Sequence, residues 1–230
     1  MFNKLVWSGS RQLMKTAGCR NFVPAFGFAS DLQAVDKLRS AVNSEIEYEE
    51  SNVEDLSEFK NFFENQGWKI NERGVQVELE KNQGPYSLRL LFNAKTPMSA
   101  EENPDEQQGE EDMQEPDYTD LAIYIKKQGA SKWLCCEFMV SNNNEAHLGL
   151  ATFIKDYEHD RNERQKGRVG ISGYTGPELS SLDENFQNGL YEFIEKVGFD
   201  GEVLQRASQY SIAYEHQFYL EWLKDFRSLV

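Results

Sequence analysis

Residues 181–200, SLDENFQNGLYEFIEKVGFD, read as a helix marked at both ends, close to the end of an acidic chain. Ser181, with Glu184 three positions on, makes a capping box: the two side chains satisfy backbone N–H groups that a first helical turn leaves unpaired. Leu182, Phe186, Leu190, Phe193 and Val197 recur at intervals of three and four, which places one apolar stripe on one face. Gly198 follows the last stripe residue, where the chain turns through a left-handed conformation that glycine adopts freely.

A second helix begins near Asp200, because Leu204, Ala207, Ser211, Tyr214, Phe218, Trp222, Phe226 and Leu229 keep the same spacing. About 28 residues at 1.5 Å each span roughly 40 Å, more than one small sheet needs as cover. The surplus apolar surface, Leu220 and Leu223 included, belongs against another helix, with a second subunit as one source of it. At the other end of the chain, Leu32, Val35, Leu38, Val42 and Ile46 line a helix starting at Ser30, and Leu56, Phe59 and Phe63 mark a shorter one.

Between these helices the period changes to two. Val75, Val77 and Leu79 alternate with polar residues, as do Tyr86, Leu88, Leu90 and Phe92, and then Leu121, Ile123 and Ile125. Residues 133–140 are apolar on both faces, which suits a central strand, and 148–154 and 169–174 are weaker candidates. Short strands joined by turns and acidic loops predict an antiparallel sheet, and with the helices an α+β fold. Residues 96–117 interrupt the pattern with nine carboxylates, three prolines and no Lys or Arg. Such a composition buries too little apolar surface to order itself, so the stretch reads as a mobile loop. Residues 155–168, KDYEHDRNERQKGR, read as a second, mixed-charge loop.

The 230 residues carry a formal charge of −15, and 39% of them are hydrophobic, enough for one packed domain spanning residues 31–230. The acid excess is uneven. Residues 1–30 hold Lys4, Arg11, Lys15 and Arg20 with no Asp or Glu, the composition of a mitochondrial transit peptide. Cleavage is expected between about residues 20 and 46, delivering the mature chain to the mitochondrial matrix. No apolar run reaches the roughly 18 residues of a membrane-spanning helix.

Catalytic and cofactor motifs are missing. His147, His159 and His216 lie far apart without metal-ligand spacing. Cys135 and Cys136 sit inside an apolar strand, where a thiol keeps a high pKa and little nucleophilicity. Gly167, Gly170, Gly173 and Gly176 lack the spacing of a nucleotide fingerprint and no GK[ST] follows. Neither a metal nor another cofactor is expected, and the chain does not read as an enzyme. Direct nucleic-acid binding is disfavoured as well, since its affinity comes largely from cationic side chains. An anionic surface attracts basic proteins instead.

SLDENFQNGLYEFIEKVGFD followed by AYEHQFYLEWLKDFRSLV resembles the closing signature of the mitochondrial glycoprotein family. These are acidic matrix proteins that include the complement-globular-head and hyaluronan-binding protein of animals. YTGPELSSLDENFQ is similar to that family's Tyr-x-Gly-Pro entry and Leu-Asp-Glu helix start, and GWKIN and LRLLFNA resemble its first strands. The resemblance implies a twisted seven-stranded antiparallel sheet, with N- and C-terminal helices on one face, assembled as a ring-shaped homotrimer. It also implies a non-enzymatic adaptor or chaperone-like role toward basic, RNA-binding partner proteins in mitochondrial RNA processing or translation, touching RNA only indirectly. The expected partner surface is the acidic loop: Glu101, Glu102, Asp105, Glu106, Glu110, Glu111, Asp112, Glu115 and Asp117. Leu190, Phe193, Tyr214, Phe218, Leu220, Trp222, Leu223 and Phe226 are the expected helix-packing and oligomer contacts. A small-molecule or acyl-chain binding domain using the sheet–helix interface is the alternative.

Overall fold

The computed structural model describes residues 28–94, 118–141, 143, 145–166 and 174–230. Strands β1 (Lys69–Arg73), β2 (Gln76–Gln83), β3 (Tyr86–Asn93), β4 (Tyr118–Lys127), β5 (Trp133–Ser141) and β6 (Ala146–Ile154) form one antiparallel sheet in chain order. Five α-helices accompany it among the described residues: α1 (Phe28–Ser51), α2 (Leu56–Asn65), α3 (Tyr157–Gln165), α4 (Glu184–Val197) and α5 (Gly201–Leu229). Six strands are thus present among the described residues. Of the implied seven, the candidate at 169–174 lies outside them except for Tyr174, which is in no strand. The basic segment 1–27 lies outside them too.

Alternation along the strands sorts side chains onto two faces. Val77 and Leu79 of β2, Leu88, Leu90 and Phe92 of β3, Leu121 and Ile123 of β4, and Cys136, Phe138 and Val140 of β5 point to one side. There they meet Leu56, Phe59 and Phe63 of α2, Ile194 and Val197 of α4, and the N-terminal half of α5. Tyr210 of α5 is fully buried at the centre, its ring 5.7 Å from Phe59 and 5.5 Å from Phe92. Its hydroxyl is kept satisfied by donating to Glu72.

α5 runs 29 residues from an Asp200 cap, whose carboxylate accepts from the Val203 N–H at 2.9 Å. Beyond Tyr214 it passes the sheet, and Leu220 and Leu223 pack on Val42 and Ile46 of α1. The helix that covers the surplus apolar surface is therefore α1 of the same chain. α1 packs along α5, while α2 shares with α4 and α5 the one sheet face expected for helices from both chain ends.

Two local readings need correction. Ser181 does not cap α4: it closes a 3-10 turn over Leu179–Ser181, and its hydroxyl donates to the Glu178 carbonyl. Asp183 is the cap, accepting from the Asn185 N–H at 3.0 Å. The helix starts two residues late, and Phe186 is left 57% exposed. The C-terminus is as expected, with Gly198 at φ 119°. The second correction concerns 155–168, where α3 stands in place of a loop. Asp156 caps it through the His159 N–H at 3.0 Å, and Asp160 pairs with Arg164 one turn on at 2.9 Å.

The Tyr-x-Gly-Pro motif has a steric cause. Gly176 sits at φ 93°, and a Cβ there would stand 2.7 Å from the Ala151 carbonyl oxygen of β6. Thr152 donates to the Tyr174 carbonyl at 2.9 Å, so this segment lies directly against the strand.

Candidate functional site

α3 covers the reverse face of the sheet with ions. Glu78 on β2 and Asp160 on α3 are each 1% exposed. Glu78 accepts from the Tyr157 hydroxyl and from Arg89, whose guanidinium also reaches Glu80 at 2.9 Å. Arg73 and Arg161 stand 3.8 and 3.6 Å from the other Glu78 oxygen. Asp160 accepts from the Tyr124 hydroxyl and, at 2.9 Å, from Arg164, which also pairs with Glu137 of β5. Trp133, Cys135, Ile154 and Tyr157 fill the apolar remainder, which explains why β5 is buried on both faces.

Two buried carboxylates beside tyrosines and arginines invite a catalytic reading, but the geometry does not serve one. Burial pushes the Tyr124 and Tyr157 hydroxyls up, and each is committed as a donor to its carboxylate. Burial opposes the charge on Arg164, yet the carboxylates of Glu137 and Asp160 beside it hold it protonated. Every charge in the layer has a partner of opposite sign, an arrangement that fastens α3 to the sheet. The cysteines behave as expected: burial pushes the Cys135 thiol up to about 12, and Cys136 moves the same way for the same reason. Among the described residues no His, Cys, Asp and Glu cluster could hold a metal, and no helix is long and apolar enough to cross a membrane. His216 hydrogen-bonds Glu49 at 2.7 Å.

The charged surface that the described residues do present lies on α1 and α2. Between Glu45 and Glu64 the chain holds eight carboxylates and one lysine, all at least partly exposed. Glu50 is held below the usual range by Lys224, and Asp55 by hydrogen bonds from Ser57. Glu45 accepts from the Tyr219 hydroxyl at 3.0 Å. Sequence reading passed over this surface because the acids interleave with the apolar stripe; only a helical-wheel count would have gathered them. The expected partner residues Glu101, Glu102, Asp105, Glu106, Glu110, Glu111, Asp112, Glu115 and Asp117 lie outside the described residues.

The expected packing residues separate into inner and outer groups. Tyr214 is core, Leu220 and Leu223 are buried against α1, and Leu190, Phe193, Phe218 and Phe226 pack partly buried around them. Trp222 alone of the eight is exposed, at 53%, with its ring 4.5 Å from Phe226. The interface between sheet and helices is occupied by the core. A cavity of about 710 Å3 opens instead beside β6, near Phe153, Leu182, Phe186 and Leu190.

A model of the family described as mitochondrial glycoprotein (MAM33) matches residues 42–230. No curated protein matches the chain. Among solved structures, a hypothetical protein from Leishmania major, described as a sequence homologue of human p32, superposes with TM-score 0.62. It is 18% identical, over 85% of this chain and 98% of that one. The Trypanosoma brucei p22 protein gives TM-score 0.58 at the same identity and coverage. At that identity the likeness concerns the fold.

Proposed function

The chain belongs to the mitochondrial glycoprotein family, a membership that points to a mitochondrial protein-binding role without catalysis, and from that premise we propose a matrix adaptor for basic partner proteins. RNA-binding proteins are the expected partners, so the chain modulates mitochondrial RNA processing or translation through them and meets RNA only indirectly. Residues 1–30 serve import and are removed. The protein works as a homotrimer in which Trp222, outside its own protomer's core, contributes to a subunit contact.

The observation that carries this reading is the carboxylate surface of α1 and α2, opposed by one lysine within the stretch. It gives a cationic partner long-range attraction, and the acidic segment at 101–117 adds to it. Both act on encounter more than on the bound complex. The test uses a basic partner recovered from matrix extract and measures its association rate against salt. Two variants are compared with wild type: Glu47, Glu54, Glu58 and Glu64 changed to Gln, and the nine carboxylates of 101–117 changed to Gln or Asn. Slower association and a flatter salt slope with unchanged thermal midpoint are expected for each. Wild-type slopes in both variants would remove the acidic-adaptor reading.

A further inference from the structure

The sheet face that α4 covers is left partly bare at β6. Leu134 and Ala151 pack partly buried against the core on that face, and Phe153 is paired with Leu134 across β5 and β6. Leu182, Phe186 and Leu190 recur every four residues, from just before the α4 cap into the helix. Between these two apolar rows lies part of the cavity of about 710 Å3, which continues round β6 to Tyr174 and His159. Phe153 is 65% exposed and Phe186 57%, although both line the concavity. Two bare aromatic rings in one trough mark a surface that gains free energy when it is covered.

The charge at its rim indicates what covers it. Lys132 and Lys155 directly flank the last β5–β6 pair, Trp133 with Ile154, so both lie at one end of the trough. Among the described residues neither has a carboxylate within ion-pair distance. Asp156 accepts from the His159 N–H as the α3 cap, and Asp160 is paired with Arg164 on the other face of the sheet. Apolar walls with two unpaired ammonium groups at one end suit a ligand with an alkyl body and an anionic head. A peptide would bring backbone groups that need partners, and the Thr152 hydroxyl is already given to the Tyr174 carbonyl. An alkyl chain brings no such groups.

We propose that this trough binds a single long-chain fatty acid, its chain against Phe153, Phe186 and Leu190 and its carboxylate between Lys132 and Lys155. The cavity volume lies within the roughly 300–1,000 Å3 of small-molecule sites. A bilayer of anionic lipid would also meet Glu178, Asp183 and Glu184, which neighbour Leu182 in the chain, whereas one molecule needs only the two lysines. The trough is separate from the acidic surface of α1 and α2, and the assignment does not depend on the adaptor role.

Titration calorimetry of the full-length protein tests the assignment, with dodecanoate, octanoate, dodecanol and dodecyltrimethylammonium as probes below their micelle concentrations. Dodecanoate is expected to bind saturably, octanoate about tenfold or more weakly because four methylenes are lost, and the cationic amphiphile not at all. K132Q/K155Q should weaken dodecanoate about tenfold or more and leave dodecanol within a factor of about two. K37Q/K69Q removes the same charge elsewhere and should leave dodecanoate within a factor of about two. F153S and F186S replace exposed rings, so the fold should survive, and each should weaken dodecanoate about threefold or more. Absent binding of dodecanoate, equal affinity for octanoate, equal losses in the two lysine pairs, or indifference to both serines would each overturn the site. Vesicles of anionic lipid binding in an F153S-sensitive way where monomeric dodecanoate does not would overturn it in favour of a membrane contact. A lower oligomeric state of the ligand-free F153S/F186S protein in sedimentation would overturn it in favour of a contact between copies of this chain.

Discussion

Replacing Arg164 with methionine keeps an aliphatic stem against the sheet and removes the guanidinium that serves Asp160 and Glu137. Glu137 is 29% exposed and can turn toward water; Asp160, at 1%, cannot, and retains only the Tyr124 hydroxyl. Removing one partner of a buried pair costs about 3–5 kcal/mol, because the remaining charge stays desolvated. For a chain this long, each kcal/mol lowers the midpoint by about 2–4 °C, so a fall of roughly 6–20 °C is expected. Urea unfolding followed by circular dichroism measures the free energy directly. The cause is tested by pairing the change with Asp160→Asn, whose amide oxygen still accepts from Tyr124 but carries no charge. If the uncompensated carboxylate is responsible, the double variant is more stable than Arg164→Met alone, with a coupling of about 1–3 kcal/mol. A single variant within about 0.5 kcal/mol of wild type, or strictly additive effects, would refute the account of α3 as ion-fastened.

Trp222→Ala removes a half-exposed ring, so it should cost the isolated protomer less than the roughly 3–5 kcal/mol of a core truncation while weakening the proposed trimer; sedimentation of wild type as a monomer at micromolar concentration would remove the ring assembly. Gly176→Ala should destabilise by more than the roughly 1–2 kcal/mol of a left-handed residue alone, because its Cβ meets the Ala151 carbonyl, whereas Gly74→Ala, at φ 58° in open space, should not exceed that range; equal midpoints in the two would contradict the contact. In a Cys19→Ser background, Cys135 and Cys136 should resist alkylation until the chain unfolds, and rapid labelling at neutral pH would contradict their burial. Since their thiol pKa values are raised in the fold, the stability they contribute is present below the unfolded thiol value near 8.5 and is lost as pH climbs toward 12; a stability flat through that window would be inconsistent with it.

Where burial is apolar, the sequence was legible. The alternation of Val77 and Leu79, the spacing from Leu204 to Tyr214 and the glycine after Val197 each express one physical requirement in residue types. α3 was not legible because its inward face is Tyr157, Asp160 and Arg164, and a hydropathy period cannot see a stripe made of charges. Phe186 misled for the converse reason: it is apolar and in register, yet it stays exposed beside the cavity next to β6. The long-range pairings of the ion layer, such as Tyr157 with Glu78, depend on strand order and cannot be read from local spacing. Of the expected partner surface, the acidic segment at 101–117 was conspicuous as a run, while the acids of α1 and α2 were hidden by their helical spacing.

The layer beneath α3 also bears on how that helix can move. A helix seated on apolar side chains can rock by an ångström with little loss, because one dispersion contact replaces another. The bonds that cross between α3 and the sheet, Tyr124 to Asp160, Tyr157 to Glu78 and Arg164 to Glu137, are directional and weaken steeply when misaligned. Small displacements of α3 are therefore costly, and release is a larger, cooperative event that hydrates Glu78 and Asp160 together. The helix behaves as a latch with two positions, seated or open, and amide exchange across Tyr157–Gln165 should report one shared opening free energy in place of a gradient from its ends.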